Sequence, residues 1–224
     1  MFLMEFLEGF KFEVELSNII NAIDESSIEI KELVNRVNLD NNTGLVDDCG
    51  KNSSGDAQKK LDLLTNEIMI KHLCKSCSCS LLLSEENDDI IIVDEKESGN
   101  YIVAFDPLDG SSNIEVNVSI GTIYGIYQWD EKNQSIGPII DAGYCIYGPS
   151  TQWVKTEKDK VKMYQLNQHN QFEWIADLDL EEKKEKEYSN KTYSHKMYSI
   201  NESNALHLSP QLNNLLSYYK TNNY

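Results

Sequence analysis

The chain has 224 residues, is 40% hydrophobic and carries a formal net charge of -17, with a sequence pI near 4.6. That length suffices for a buried core. The acidity, with Arg36 as the sole arginine, excludes sequence-independent binding to nucleic acid or to an anionic membrane, since both need clustered Lys and Arg.

The opening MFLMEFLEGF is apolar but carries Glu5 and Glu8 and has no basic stretch ahead of it, so it does not read as a signal peptide. From Glu15 to Val37, apolar residues recur every three or four positions, as in Leu16, Ile19, Ile20 and Ile23, which predicts an amphipathic helix. NLDNNTG and KNSSGDAQ then read as loops. A second helix is expected from near Ala57 through KKLDLLTNEIMIKHL. The following HLCKSCSC sets His72, Cys74, Cys77 and Cys79 at ligand-like intervals. Structural zinc sites pair two separated halves and only one exists here, so the segment reads as a helix-to-strand junction. The five cysteines, odd in number and without a secretory context, read as the reduced thiols of a cytoplasmic protein.

SLLLSEE, IIIV and YIVAFDPLDG come next, short β-rich runs that stop at polar or Gly/Pro residues. NVSIGTIYGIYQW and DAGYCIYGP predict two more strands, and VKMYQLNQHNQFEWI a hairpin around NQHNQ. The run from Asp177 to Ser194 alternates charge sign and reads as a solvated connector. KMYSINES is expected as a strand and SPQLNNLLSYYKTNNY as a helix, with Ser209 at the N-cap and Pro210 at its first position. Helices followed by a strand-rich section indicate a layered α/β chain.

Three acidic elements lie at element boundaries: Asp56 and Asp62 in GDAQKKLD, Glu85 and Glu86 in SEE, and Asp106 and Asp109 in FDPLDGSSN. Singly, each has an ordinary explanation: helix-start acids, a solvated pair, a turn. Together, at strand ends where α/β folds place sites, they suit a hard cation with oxygen ligands. Mg²⁺ is typically held by a few carboxylates plus substrate phosphate. The DPLD carboxylates and the Leu108 carbonyl can hold the cation. Gly110, Ser111 and Ser112 offer close backbone approach, hydroxyls and N–H groups to a phosphate. The chemistry this implies is metal-assisted hydrolysis of a phosphate ester, with a remaining carboxylate accepting the proton of water.

GDAQKKLDLLTNE, SEEND, YIVAFDPLDGSSNIEVNVSIGTIYGIY, AGYCIYG and YSINE resemble the fructose-1,6-bisphosphatase family of Mg²⁺-dependent, lithium-sensitive sugar phosphatases. The resemblance implies a layered α-β-α-β-α fold, with a metal-binding lobe over 1–190 and the start of a sugar-binding lobe over 191–224. It implies Glu85, Asp106, the Leu108 carbonyl and Asp109 as Mg²⁺ ligands, with Asp56 sharing a further metal. Asp62 and Glu86 would help activate water. Asp109, Gly110, Ser111 and Ser112 would bind the phosphate removed, and Asn201 the other phosphate. The implied reaction is hydrolysis of the 1-phosphate of fructose 1,6-bisphosphate, a gluconeogenic step, in a cytoplasmic homotetramer. Sedoheptulose-1,7-bisphosphatase, or a non-catalytic fragment that keeps the metal half, are the alternatives, because the family continues well past the matching residues. Two departures stand out: Ser203, Asn204 and Ala205 follow Glu202 where the family has Gly and a phosphate-contacting Tyr, and Glu13, Val14 and Asn100 replace residues near which many members bind AMP.

Overall fold

The computed structural model describes residues 2–36, 60–94, 98–130, 132–178, 200 and 202–222. The chain divides into two compact units, Met1–Leu180 and Glu181–Tyr224; the boundary expected at 190/191 falls among residues outside the described ones.

The first unit opens on α1, Phe2–Arg36, longer at its start than the Glu15–Val37 periodicity predicts. Gly9 costs a helix interior only about 1 kcal/mol, and nothing lies within 4 Å of where its Cβ would be, so the helix runs through it in open space. Next is α2, Lys60–Lys75. Among the described residues eight strands follow: β1 (Cys79–Ser84), β2 (Ile91–Ile92), β3 (Tyr101–Asp109), β4 (Ile120–Asp130), β5 (Ser135–Tyr147), β6 (Thr151–Glu157), β7 (Lys160–Leu166) and β8 (Phe172–Leu178). They form one sheet in the order β2-β1-β3-β4-β5-β6-β7-β8, in which only β1 and β3 run parallel. The predicted hairpin is β7–β8, closed by Asn167 N–H donating to the Gln171 carbonyl at 2.9 Å. Strand β6 has no counterpart among the expected elements; TQWVKTE is largely polar and packs chiefly through Trp153.

Period-2 alternation gives the sheet two faces. On one, Tyr101, Val103 and Phe105 of β3 and Ile120, Tyr124 and Ile126 of β4 pack with Ile19, Ile23 and Ile30 of α1 and Leu61, Met69 and Leu73 of α2. Lys71 and His72 of α2 clamp Glu29 of α1, with His72 Nε2 2.7 Å and Lys71 Nζ 2.9 Å from Oε2. These contacts hold the Glu29 carboxyl below its usual range. None of the described helices is long and apolar enough to cross a membrane.

In the second unit a 3₁₀ helix, Glu202–His207, precedes α3, Pro210–Thr221. Ser209 Oγ accepts from Leu212 N–H at 3.3 Å, the N-cap expected from the sequence, and Lys220 pairs with Glu202. The strand expected over KMYSINES is not found where it is described: Ile200 lies outside any regular element and Glu202 opens the 3₁₀ helix.

Candidate active site

Strand β3 does not stop at Phe105, as its sequence suggests. It continues through DPLD to Asp109. Asp106 pairs with Ile123 of β4 and Asp109 with Gly121. Three steps along β3 therefore oppose two along β4, which is a β-bulge. The consequence is geometric. Ile123 and Gly121 are two residues apart on β4 and share a face, so their partners Asp106 and Asp109 are brought to one face also. Without the extra residue the two carboxylates would point to opposite sides.

The bulge is pinned from behind. Thr122, fully buried, donates from Oγ1 to the Pro107 carbonyl at 2.8 Å, and Tyr147 Oη lies 2.7 Å from the same Oγ1. Leu108 is 3% exposed and anchors the turn in the core. A bulge is one of the few places in a sheet that accepts proline. Gly121 has no room for a side chain, since a Cβ would lie 2.6 Å from the Cys145 carbonyl oxygen.

Asp106 Oδ1 accepts from Leu108 N–H at 2.9 Å. Burial pushes the Asp106 carboxyl up to about 6, and the negative charges of Glu85, Asp109 and Asp62 add to the rise against the lowering effect of that hydrogen bond. Three expected site residues, from α2, the end of β1 and the far end of the bulge, thus act on the fourth, Asp106.

The turn carrying Glu85 and Glu86 is tied to both neighbours. Glu85 N–H donates to the Phe105 carbonyl at 3.0 Å, and Glu86 N–H to Ser84 Oγ at 3.2 Å. Ser84 Oγ in turn donates to Asn66 Oδ1, and Asn66 Nδ2 to Asn87 Oδ1, each at 2.7 Å. Asn66 stands four residues after Asp62 on α2, on the same helical face, and Asp62 is itself 3% exposed. Asn66, Ser84, Asn87 and Thr122 position the acids and were not among the expected residues; the i,i+4 spacing of Asp62 and Asn66 was the legible hint.

Past the bulge, Gly110 adopts φ 79° and ψ 20° and caps a 3₁₀ helix, Ser111–Val116. A residue with a Cβ is strained in that left-handed region. Asn113 N–H closes the turn onto the Gly110 carbonyl at 2.8 Å. Ser112 is exposed beside the exposed Asp109. Asp56 and Asn201 lie outside the described residues.

Among the described residues, no three His, Cys, Asp or Glu side chains are gathered closely enough to hold an ion by themselves. The donor set still suits a hard cation. Asp106 and Asp109 share a face, Glu85 and Asp62 are in electrostatic reach, and Mg²⁺ usually takes one or two carboxylates, completing its shell with water and phosphate. The HLCKSCSC residues form no such group: His72 contacts Glu25 and Glu29 of α1, Cys77 is exposed, and Cys79 is buried, its thiol pushed up to about 12.

Residues 2–176 match the family described as fructose-1-6-bisphosphatase, N-terminal domain. The chain is 40% identical over 164 residues to fructose-1,6-bisphosphatase class 1 of Halorhodospira halophila, covering 68% of this chain and 48% of that relative. It is 34% identical over 210 residues to fructose-1,6-bisphosphatase 1 of Mus musculus, covering 90% of this chain and 59% of the mouse protein. The crystal structure of Leishmania major fructose-1,6-bisphosphatase in holo form is similar with a TM-score of 0.67 and 30% identity, over 73% of this chain and 54% of that one. The fold and site thus define an α/β sugar-phosphatase scaffold, and the chain belongs to the fructose-1,6-bisphosphatase family. It spans about half the length of the curated relatives it matches.

Proposed function

We propose that this chain supplies the metal-binding half of a Mg²⁺-dependent phosphatase that hydrolyses the 1-phosphate of fructose 1,6-bisphosphate to fructose 6-phosphate and phosphate. The observation that carries the reading is the β3 bulge, which sets Asp106 and Asp109 on one face. Asp106, Asp109, the Leu108 carbonyl and Glu85 would hold Mg²⁺, with Asp56 on a further ion. When bound, Mg²⁺ supplies Lewis acidity toward the phosphoryl oxygens and lowers the pKa of bound water.

The protein's own groups orient the ester and move the proton. Asp62, at the start of α2, and Glu86, beside Glu85, accept the proton of the attacking water. Gly110 lets the backbone approach the phosphate, and Ser111 and Ser112 donate to its oxygens at the opening of the 3₁₀ turn. Asn201 holds the second phosphate. In the cell the enzyme works as a homotetramer in the cytoplasm, on the gluconeogenic side of sugar metabolism; relatives named as cytosolic, from Brassica napus and Saccharum hybrid, support that placement.

The test is phosphate release from fructose 1,6-bisphosphate, with and without Mg²⁺, by the native protein isolated from its own cells, with sedoheptulose 1,7-bisphosphate as the competing substrate. Mg²⁺-dependent release from the six-carbon sugar supports the reading. Release from the seven-carbon sugar alone, or from neither, contradicts it.

A further inference from the structure

Lys155 of β6 stands opposite Gly143 of β5 and Lys162 of β7. Two residues after the buried Trp153, it shares the sheet face that α1 packs against. Its Nζ lies over two aromatic rings, 4.3 Å from the centroid of Trp153 and 5.2 Å from that of Tyr164. Gly143 makes room beside it for the Tyr124 hydroxyl, since a Cβ there would sit 2.6 Å from Tyr124 Oη. That hydroxyl donates to Asp141 Oδ1 at 3.1 Å and accepts from Trp153 Nε1 at 3.2 Å. Among the described residues no carboxylate closes an ion pair with Lys155, whereas Lys160 is held by Asp177 and Lys162 by Glu157.

An ammonium in this setting has lost much of its water. Burial lowers its proton affinity, and Lys162 adds to the lowering; Asp141, Glu157 and Asp24 of α1 act the other way without cancelling it. A lysine so placed offers more free amine near neutral pH than an exposed one. There is also a way in. Glu157, Lys162, Tyr164 and Trp174 line an open hollow of about 580 Å³, so a reagent seated there meets the ring on which the amine rests. The lysines of that hollow are matched by its acids, and around Lys155 itself Asp24, Asp141 and Glu157 outnumber Lys162. An electrophile whose leaving group is a phosphate is repelled there, and one that leaves from an uncharged thioester is not.

We infer that Lys155 is a site of N-acylation, taking its acyl group from a thioester donor. The amine lone pair attacks the thioester carbonyl carbon, the C–S bond breaks, and the departing thiolate takes up the proton that the nitrogen releases. The products are an amide and a thiol, and nothing is oxidised or reduced. The amide puts a neutral group where a half-buried ammonium stood. It also removes the cation that lowers the proton affinity of both Asp24 and Asp141. Acylation is thereby felt on both sides of the contact between α1 and β5, because the two carboxyls hold their protons to higher pH once Lys155 is capped.

The test exposes the native chain at neutral pH to a limiting amount of N,S-diacetylcysteamine, an uncharged thioester, and follows each lysine by peptide mass spectrometry. Lys155 should be acetylated at least about fivefold faster than Lys158, an exposed lysine in the turn between β6 and β7. In urea the preference should vanish. The rate at Lys155 should level off below pH 10.5, the ordinary lysine value, which accessibility alone would not produce. Asp141→Asn should raise the rate further, since that carboxylate favours the ammonium. Carbon NMR should show Asp141 titrating above its value of about 6 in the acetylated protein and in Lys155→Gln, but not in Lys155→Arg. Acetylation of Lys155 no faster than of Lys158, or a preference that survives in urea, overturns the inference. A preference equally large with acetyl phosphate overturns the donor class, and an Asp141 titration indifferent to capping overturns the coupling.

Discussion

Thr122 Oγ1 donates to the Pro107 carbonyl across the β3–β4 ladder at 2.8 Å, and this one bond captures the first of the two residues that separate Asp106 from Asp109. Thr122→Val keeps shape and β-propensity and removes the donor. A buried hydrogen bond contributes about 1 kcal/mol, and an acceptor left unsatisfied costs about 1–3 kcal/mol. The variant should therefore lose about 1–3 kcal/mol of stability in urea unfolding, and its affinity for Mg²⁺ should fall although no proposed ligand has changed. Loss of stability with unaltered metal affinity would mean that the bulge holds its shape without this clamp.

Asn66 plays the same part for Glu85 and Glu86. Asn66→Ala removes two hydrogen bonds of 2.7 Å, from Ser84 Oγ and to Asn87 Oδ1. At about 1 kcal/mol each, the expected loss is about 2 kcal/mol, read by chemical denaturation. The Ser84–Asn87 turn should also show faster amide exchange than the β1–β3 ladder beside it. Equal protection in variant and parent would place the turn's rigidity elsewhere.

Gly110→Ala tests the left-handed joint after the bulge. The nearest atom to an added Cβ is Asn113 Nδ2 at 3.5 Å, so space is not the obstacle. The φ of 79° is. The strain is about 1–2 kcal/mol, visible as a lower unfolding midpoint, whereas Gly110→Asn should recover part of it because Asn enters that region more readily.

The metal-free protein should become more stable on mild acidification. Asp106 and Asp141 are pushed up to about 6 and Asp24 is raised, in each case chiefly by burial. A carboxyl whose folded pKa exceeds its unfolded one binds its proton earlier in the folded state. Stability therefore rises as pH falls from about 7 through 6 toward the ordinary carboxylate range. The acids held below their usual range, Glu29, Asp130, Glu157 and Asp177, oppose this only lower down, where they are themselves protonated. Thermal unfolding without divalent cations should thus give a higher midpoint at pH 5.5 than at pH 7. Asp141→Asn, which keeps an acceptor for Tyr124 Oη, now 3.1 Å from Asp141 Oδ1, should raise the pH 7 midpoint and shrink the difference. A midpoint that falls on acidification contradicts the assignment.

The helix pair, the β7–β8 hairpin and the cap of α3 were legible because each rests on local periodicity or on a local hydrogen bond, such as Ser209 Oγ to Leu212 N–H. The acids of the proposed site stand out in the sequence as residue types at element boundaries. Their arrangement does not. DPLDG has the composition of a turn, yet β4 holds it in register to Asp109, a long-range pairing that overrides the local preference of Pro107 and Gly110. For the same reason β6 stayed hidden: TQWVKTE has little apolar signal of its own and becomes a strand between β5 and β7. Asn66 and Thr122 act through partners 18 and 15 residues away; the i,i+4 spacing from Asp62 is the one sequence mark Asn66 carries, and the strand threonine carries none.

The central claim is that the bulge turns Asp106 and Asp109 into ligands of one divalent cation. The most direct test is a Mn²⁺ titration of this chain followed by electron paramagnetic resonance, with Mn²⁺ standing for Mg²⁺ because both prefer six oxygen ligands. The account predicts saturable binding that weakens at least about tenfold in Asp109→Asn, as loss of a charged ligand should, and is unaffected in Asp177→Asn, on β8 far along the sheet. Equal Mn²⁺ affinity in Asp109→Asn and the parent protein would contradict it.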